Sequence, residues 1–389
     1  MLYLCDFMVE VREFAGLRPL NPEKFCTKPY DVIGEEEIKE LRKNPDSAIH
    51  IILPVENGDK YENARREFER LKKNMVRDEP SIYLYKEGNE DFTQRGFIFC
   101  VSLKDYENGL IKKHEETREK PLQDRIKHIE TVKAHTGLVW TVFNKNDEVK
   151  KVMEEILKEK PVFDFKKYNY RHQLWKISNK KMIERIKEVF HPMHLYIADG
   201  HHRIAASYEY WRKYDGEEAK YVMIFSASDD EIRILPYNRV IKKIDAKDFI
   251  EKLKKDFYVE RMREIKEPKK HEIQIYYKKE WWKISPKNLE ENVVERLDVS
   301  IVQNKILEPI LGIKDVRKNP NIFFVGGEKE RKKYEEFVDK KGNDAVIYLH
   351  PTSIEELKEV ADAKLNMPPK STWFDPKLLT GLVFHIIEE

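Results

Sequence analysis

Three stretches of this 389-residue chain carry side chains with chemistry to offer. The first is Tyr196-Ile-Ala-Asp-Gly-His-His-Arg203. Here an apolar strand turns through Asp199 and Gly200 straight into a helix with Ile204, Tyr208 and Trp211 on one face. Such a turn points backbone N–H groups at whatever lies above the helix N-terminus. That end also carries partial positive charge, so it suits an anion, phosphate above all. Gly200 permits close backbone approach. His201, His202 and Arg203 are expected to add donors at the first turn, and arginine grips phosphate oxygens in bidentate fashion. Asp199 is expected to cap the helix or to hold a Mg²⁺ that bridges phosphates. Cations at a helix N-terminus are a poor choice for stability alone, which favours binding over a merely solvated helix end. His191 and His194 lie upstream, but adjacent histidines at a turn without a cysteine make a poor zinc set.

The second stretch, Ile111-Lys-Lys-His-Glu-Glu-Thr117, puts carboxylate beside histidine and lysine and so supplies a candidate general base. Taken alone, a charged loop of this kind is explained by solvation. The third, Asn366-Met-Pro-Pro-Lys-Ser-Thr-Trp-Phe374, has a proline pair that forbids helix and could present Lys370, Ser371 and Thr372 in a fixed array to phosphate or carboxylate. A plain surface turn explains it equally well. The glycines and strand-to-helix context of a Walker A loop are missing, which excludes that motif. Lys28-Pro-Tyr-Asp31 and Arg239, in Pro236-Tyr-Asn-Arg, are weaker candidates; a rigid turn explains the former and a solvated strand end the latter.

The elements that must position these groups alternate between helix and strand. The pattern predicts helices near 35–43, 61–77, from Pro121 onward, 145–160, 179–190 and 301–311. Leu122, Ile126, Ile129 and Val132 form one apolar stripe, with Pro121 at a favoured first helical position. Strands are expected at 48–54, 81–85, 96–103, 137–143, 172–177 and 194–198, with a hairpin from 222–225 to 233–235. A Lys- and Glu-rich second module at 239–350 brings strands at 272–277, 281–284, 321–325 and 345–349. The expected organisation is an α+β domain over 1–238, a second α+β module over 239–350, and a C-terminal segment, 351–389, that returns to the active site.

Composition narrows the classes. Lys+Arg 73 against Asp+Glu 71 leaves a formal charge of +2, which argues against a nucleic-acid-coating protein. Charged residues reach 37%, against about 25% in an ordinary globular protein, a composition of the thermophilic kind. Apolar runs such as 137–143 fall far short of the ~18–20 residues that span a bilayer. Asp6 and Glu10 come too early for a secretory signal, and the three cysteines, Cys5, Cys26 and Cys100, form no CxxC pair. A cytoplasmic protein is expected, with no membrane and no nucleic-acid partner.

Lys28-Pro-Tyr-Asp-Val-Ile33, Ile111-Lys-Lys-His-Glu115 with Asp124-Arg125, Ile197-Ala-Asp-Gly-His-His-Arg203, and Met367-Pro-Pro-Lys-Ser-Thr372 with Pro376-Lys377 occur together. In this set and order the chain resembles, over nearly its full length, the domain of unknown function 1015 family. It is more distantly similar to the free L-serine kinases of the ParB/sulfiredoxin-like superfamily, which share the His-Glu loop, the Asp-Gly-His-His-Arg turn and a Pro-Lys-Ser/Thr-Thr-type segment. That resemblance implies a ParB/sulfiredoxin-like mixed α/β catalytic core with additional α+β modules, and an ATP- or ADP-dependent kinase, with Mg²⁺, making O-phospho-L-serine.

Carried over, it implies Glu115 as base beside His114, and Asp199, Gly200, His201, His202 and Arg203 on the nucleotide phosphates. Lys370, Ser371 and Thr372 would line the same pocket, with Tyr30, Asp31 and Arg239 on the acceptor. Lys113 stands where a proline commonly precedes the His-Glu pair. Sulfiredoxin chemistry needs a cysteine where His201 stands and is excluded. DNA segregation would need a helix-turn-helix and a basic face, and neither stands out. A nucleotide-sensing module without turnover and a nucleotide hydrolase or phosphatase are the alternatives.

Overall fold

A computed structural model describes residues 8–388 except 245, 265 and 328–330. Cys5, Asp6 and the reading of the first residues lie outside the described part. The chain divides into two compact units, one running up to Ile232 and resuming at Pro376, the other Arg233–Asp375. Both mix helices with sheets, so the class is α+β. Residues 351–375 belong to the second unit, and only the residues from Pro376 onward rejoin the first.

The first unit is built on a nine-stranded sheet. From one edge its order is Ile111–Lys112, Leu195–Asp199, Val139–Phe143, Tyr221–Ser228, Thr93–Ser102, Ile82–Gly88, Tyr170–Ile177 and Phe163–Lys167, with Val11–Arg12 pairing the strand Thr93–Ser102. Most neighbours are antiparallel, but Leu195–Asp199 runs parallel to Ile111–Lys112 and Tyr221–Ser228 parallel to Val139–Phe143. Valine, isoleucine and phenylalanine fill these strands, and they are buried almost throughout. Helices Asp147–Ile156 and Lys180–Phe190 are capped by Asn146 and Asn179 and bury Val152, Met153, Ile186 and Phe190 in the same core. A second apolar cluster, with Ile126, Ile129, Ala206 and Tyr210, packs helix Glu119–Val132 on helix His201–Tyr214.

The second unit has a six-stranded sheet in the order Phe257–Arg261, Glu280–Pro286, Ile273–Tyr277, Ala345–Tyr348, Tyr237–Ile241 and Ile322–Gly326, every pair antiparallel. Its core is aromatic: Tyr276, Trp281, Tyr334 and Tyr348.

Several expected elements differ. Residues 48–54, read as a strand, hold a helical turn, Ile49–Ile52, in which Ile49, Ile51 and Ile52 are all buried. A short apolar run has no period to separate strand from buried turn. The helix over 61–77 ends at Lys72, and Met75–Arg77 pairs with Leu17–Pro19. The helix assigned to start at Pro121 begins at Glu119. No hairpin joins 222–225 to 233–235, because Ile234–Leu235 pairs with Trp373–Phe374. The helix at 301–311 is Asp298–Val302 running into a π-helical stretch, Gln303–Leu307.

Gly96 shows how tightly the first sheet is packed. A Cβ there would come within 2.5 Å of the Phe225 ring and of the Ser226 carbonyl oxygen, which is backbone and cannot yield. Gly96→Ala is expected to destabilise the protein by about 1–3 kcal/mol. A lowered urea midpoint at unchanged m-value checks this.

Candidate active site

The turn at Asp199–Gly200 is the pivot of the site. Gly200 takes φ 96°, a left-handed conformation, and is the N-cap of helix His201–Tyr214. A Cβ there would lie 3.2 Å from the Arg203 guanidinium and 3.3 Å from the Val139 Cα, so glycine is required twice over. The cap has no side-chain hydrogen bond, and the first turn holds no acidic residue. Asp199 is therefore not the helix cap expected of it. The N–H groups of Arg203 and Ile204 both return to the Gly200 carbonyl. Amides at the start of the helix have no intrahelical acceptor.

Asp199 faces the other way, into an alternating set of charges. Its Oδ2 accepts from Lys377 Nζ at 3.1 Å, and its Oδ1 lies 3.5 Å from Arg203 Nη2. The same Nη2 lies 4.0 Å from Asp31 Oδ2, while Nη1 donates to the Leu138 carbonyl. Burial by itself would raise the Asp199 carboxyl; the Lys377 ammonium and the Arg203 guanidinium outweigh it and hold it well below the usual range. One carboxylate already shared by two cations does not fit a resident Mg²⁺. Among the described residues no group of three or more histidine, cysteine or acidic side chains could hold a metal. In this structure Asp199 serves as the counter-ion of Lys377 and Arg203.

The parallel pairing of Ile111–Lys112 with Leu195–Asp199, Tyr196 opposite Lys112, sends both chains out of the sheet at the same end. That brings the His-Glu loop beside the helix tip. The His114 N–H points at His201 Nε2 at 3.4 Å, and the two rings meet edge to face at 4.6 Å. The Arg118 N–H donates to His202 Nε2 at 3.0 Å. Both histidines at the helix start thus accept from the loop backbone. Through these nitrogens they staple the loop to the helix start.

An Nε2 that accepts must be unprotonated, so the proton of neutral His201 sits on Nδ1, which lies 3.7 Å from Glu115 Oε2. Burial holds His201 well below the usual histidine range and pulls His114 down to about 4. The Glu115 carboxylate lies next to this buried imidazole yet stays 44% exposed. A base on the surface beside an acid-free helix N-terminus can take a proton from a substrate that lays a phosphate on that terminus.

Behind the turn is a small cavity of about 40 Å³ lined by Tyr30, Arg125, His135, Arg203 and Ser207, among others. The Arg125 guanidinium covers the Tyr30 ring at 4.3 Å and pairs with Asp124, which also accepts from Lys60 at 2.6 Å. Lys377, Asp124 and Lys60 had drawn no functional reading in the sequence. The only signals were Pro376-Lys377 and Asp124-Arg125 beside the motifs.

Lys370, Ser371, Thr372 and Arg239 belong to the second unit. Lys370 has φ 62°, and its carbonyl accepts from Arg239 Nη2 at 3.3 Å. The Ser371 hydroxyl donates to the Pro368 carbonyl at 2.6 Å and holds the proline turn. The first unit therefore brings together Asp31, Glu115, His201, His202, Arg203 and Asp199, and the second gathers Arg239 with Lys370.

The model of the family described as protein of unknown function (DUF1015) matches residues 11–300, and the chain belongs to that family. Among solved structures it is similar to a free serine kinase mutant in complex with AMP, at 17% identity over 71% of this chain and 87% of the other, TM-score 0.38. It is also similar to a conserved hypothetical protein from Pyrococcus furiosus, at 17% identity over 71% and 90%, TM-score 0.35. A third is SbnI from Staphylococcus aureus, truncated at its C-terminus, at 12% identity over 73% and 85%, TM-score 0.40. These likenesses are loose. No curated protein matches the sequence. Among the described residues no helix is long and apolar enough to cross a membrane.

Two measurements probe the electrostatics. A carboxylate held low contributes stability above its unfolded pKa of about 3.9, lost as pH falls through the folded value. Lys377→Met is expected to reduce stability at pH 7 by about 2–3 kcal/mol. Its deficit against the unsubstituted protein should shrink as pH is lowered from about 5 toward 2 in urea titrations. The His114 ring is expected to titrate near 4 by NMR. Its neutral form stabilises the fold above the unfolded histidine value of about 6.5, and that stabilisation is lost as pH falls toward 4.

Proposed function

We propose that this chain is a phosphotransferase that moves a phosphoryl group from ATP or ADP to the hydroxyl of a small acceptor, free L-serine being the acceptor of choice. The observation that carries this is the Glu115 carboxylate, 3.7 Å from His201 and open to solvent, beside the acid-free N-terminus of helix His201–Tyr214. Phosphoryl transfer needs positioning and charge neutralisation more than covalent chemistry from the protein. The helix tip supplies backbone donors and positive potential for the nucleotide phosphates. Gly200 lets them approach the backbone. Arg203 and Lys377, tied to Asp199, keep the turn rigid, and Tyr30 and Asp31 border it on the acceptor side.

In the reaction the acceptor oxygen bonds to the terminal phosphorus while the bond from phosphorus to the bridging oxygen breaks. The departing nucleotide keeps that electron pair, and the hydroxyl proton passes to Glu115. The serine kinases among the similar structures and the order of the motifs agree with this reading. It draws on the first unit alone.

The test is direct. The purified chain incubated with L-serine and ATP, ADP or pyrophosphate should yield O-phospho-L-serine. Glu115→Gln should lower kcat by about 10²–10⁴ while leaving nucleotide affinity unchanged. Nucleotide binding with no phosphoserine from any donor would remove the serine kinase reading. Equal turnover by Glu115→Gln would remove the base.

A further inference from the structure

Arg239 lies on strand Tyr237–Ile241 of the second unit and is only 3% exposed. Its Nη1 donates to the Tyr237 carbonyl, its Nη2 to the Lys370 carbonyl at 3.3 Å, and its guanidinium stands 5.4 Å from the centre of the Phe324 ring. Its Nε is buried and has no hydrogen-bond partner among the described residues. Carbonyls and an aromatic ring orient a guanidinium, but they leave its charge uncompensated. Breaking or omitting the partner of a buried charge is strongly unfavourable. Burial accordingly pulls its pKa down to about 9.

This arginine forms part of the wall of a cleft of about 270 Å³ that lies wholly within the second unit. Two more cations, Lys314 and Arg317, border the same cleft. The loop carrying them is fixed by the Gln303 amide, which donates to the carbonyls of Ile313 at 3.0 Å and Lys314 at 3.3 Å. Asp315 is the carboxylate among the lining residues, and it is engaged within its own loop. It accepts from the Arg317 N–H at 2.9 Å and lies 3.8 Å from Lys318 Nζ. The remaining walls, Val299, Leu307, Pro368 and Pro369, are apolar. Three cations thus border a cleft whose carboxylate is already engaged, and the innermost cation is buried with no counter-ion among the described residues.

We infer that the Arg239 cleft is an oxyanion-binding site of the second unit, taking a small molecule that carries a phosphate or carboxylate group on a compact body. The anion would meet the Arg239 guanidinium where it borders the cleft, with Lys314 and Arg317 closing over it and the proline pair against its apolar side. Planar arginine suits both anion types, so the chemistry is shared and the source is decided by experiment. The site requires nothing from the helix tip of the first unit, so it stands apart from the kinase reading.

The full chain is titrated calorimetrically with inorganic phosphate and, separately, acetate, with chloride holding ionic strength constant. Crystals soaked in tungstate, a heavy tetrahedral oxyanion, report position. Saturable binding of at least one anion is expected, with a tungstate peak beside Arg239. Phosphate alone binding would assign a phosphorylated ligand, and acetate alone a carboxylate. Arg239→Gln should weaken binding more than tenfold. Lys314→Ala/Arg317→Ala removes exposed side chains and so spares the fold; it should weaken binding about three- to tenfold. Binding no better than chloride, a tungstate peak confined to the first unit, or a double variant that binds as tightly as the unsubstituted protein would overturn the proposal.

Discussion

The candidate active site depends on one pairing, the parallel ladder between Ile111–Lys112 and Leu195–Asp199 at the edge of the nine-stranded sheet. Antiparallel pairing would send the following residues to opposite ends of the sheet. Parallel pairing delivers the His-Glu loop to the point where Gly200 starts a helix. Two backbone contacts then fix the loop there, His114 N–H on His201 Nε2 and Arg118 N–H on His202 Nε2. Helix Glu119–Val132, which the loop leads into, is clamped in turn against the helix of the site through Ile126, Ile129 and Ala206.

Charge is handled by separation of tasks. Asp31, Arg203, Asp199 and Lys377 alternate in sign and bind one another behind the turn. The buried histidines are held neutral by desolvation, and the neutral form lets one ring nitrogen accept while the other faces Glu115. The helix terminus therefore keeps its positive potential, with no acidic side chain in its first turn to cancel it.

The second unit solves a different problem. Its aromatic core and fully antiparallel sheet set Arg239 in the middle of a strand between the edge strand Ile322–Gly326 and Ala345–Tyr348. The guanidinium is thereby almost wholly buried. As a buried cation it is the reverse of the solvated strand end that its sequence context suggested.

The strand–Asp–Gly–helix turn, the glycine it demands, most of the long helices and the α+β class were legible in the sequence, because each follows from local rules: periodicity, capping residues and the steric freedom of glycine. The 48–54 turn was not, since a short buried run satisfies strand and helix equally. Nor were the roles of the histidines, because whether a ring nitrogen donates or accepts is set by what a distant segment places against it. Lys377 is 178 residues from its partner Asp199, and Arg118 is 84 from His202. The amino-acid sequence determined which residues were available for chemistry and which local shapes they favoured. Only the tertiary structure decided the counter-ion of Asp199, the place of Glu115 next to His201 and the burial of Arg239, because long-range pairing and desolvation act between segments that no local pattern joins.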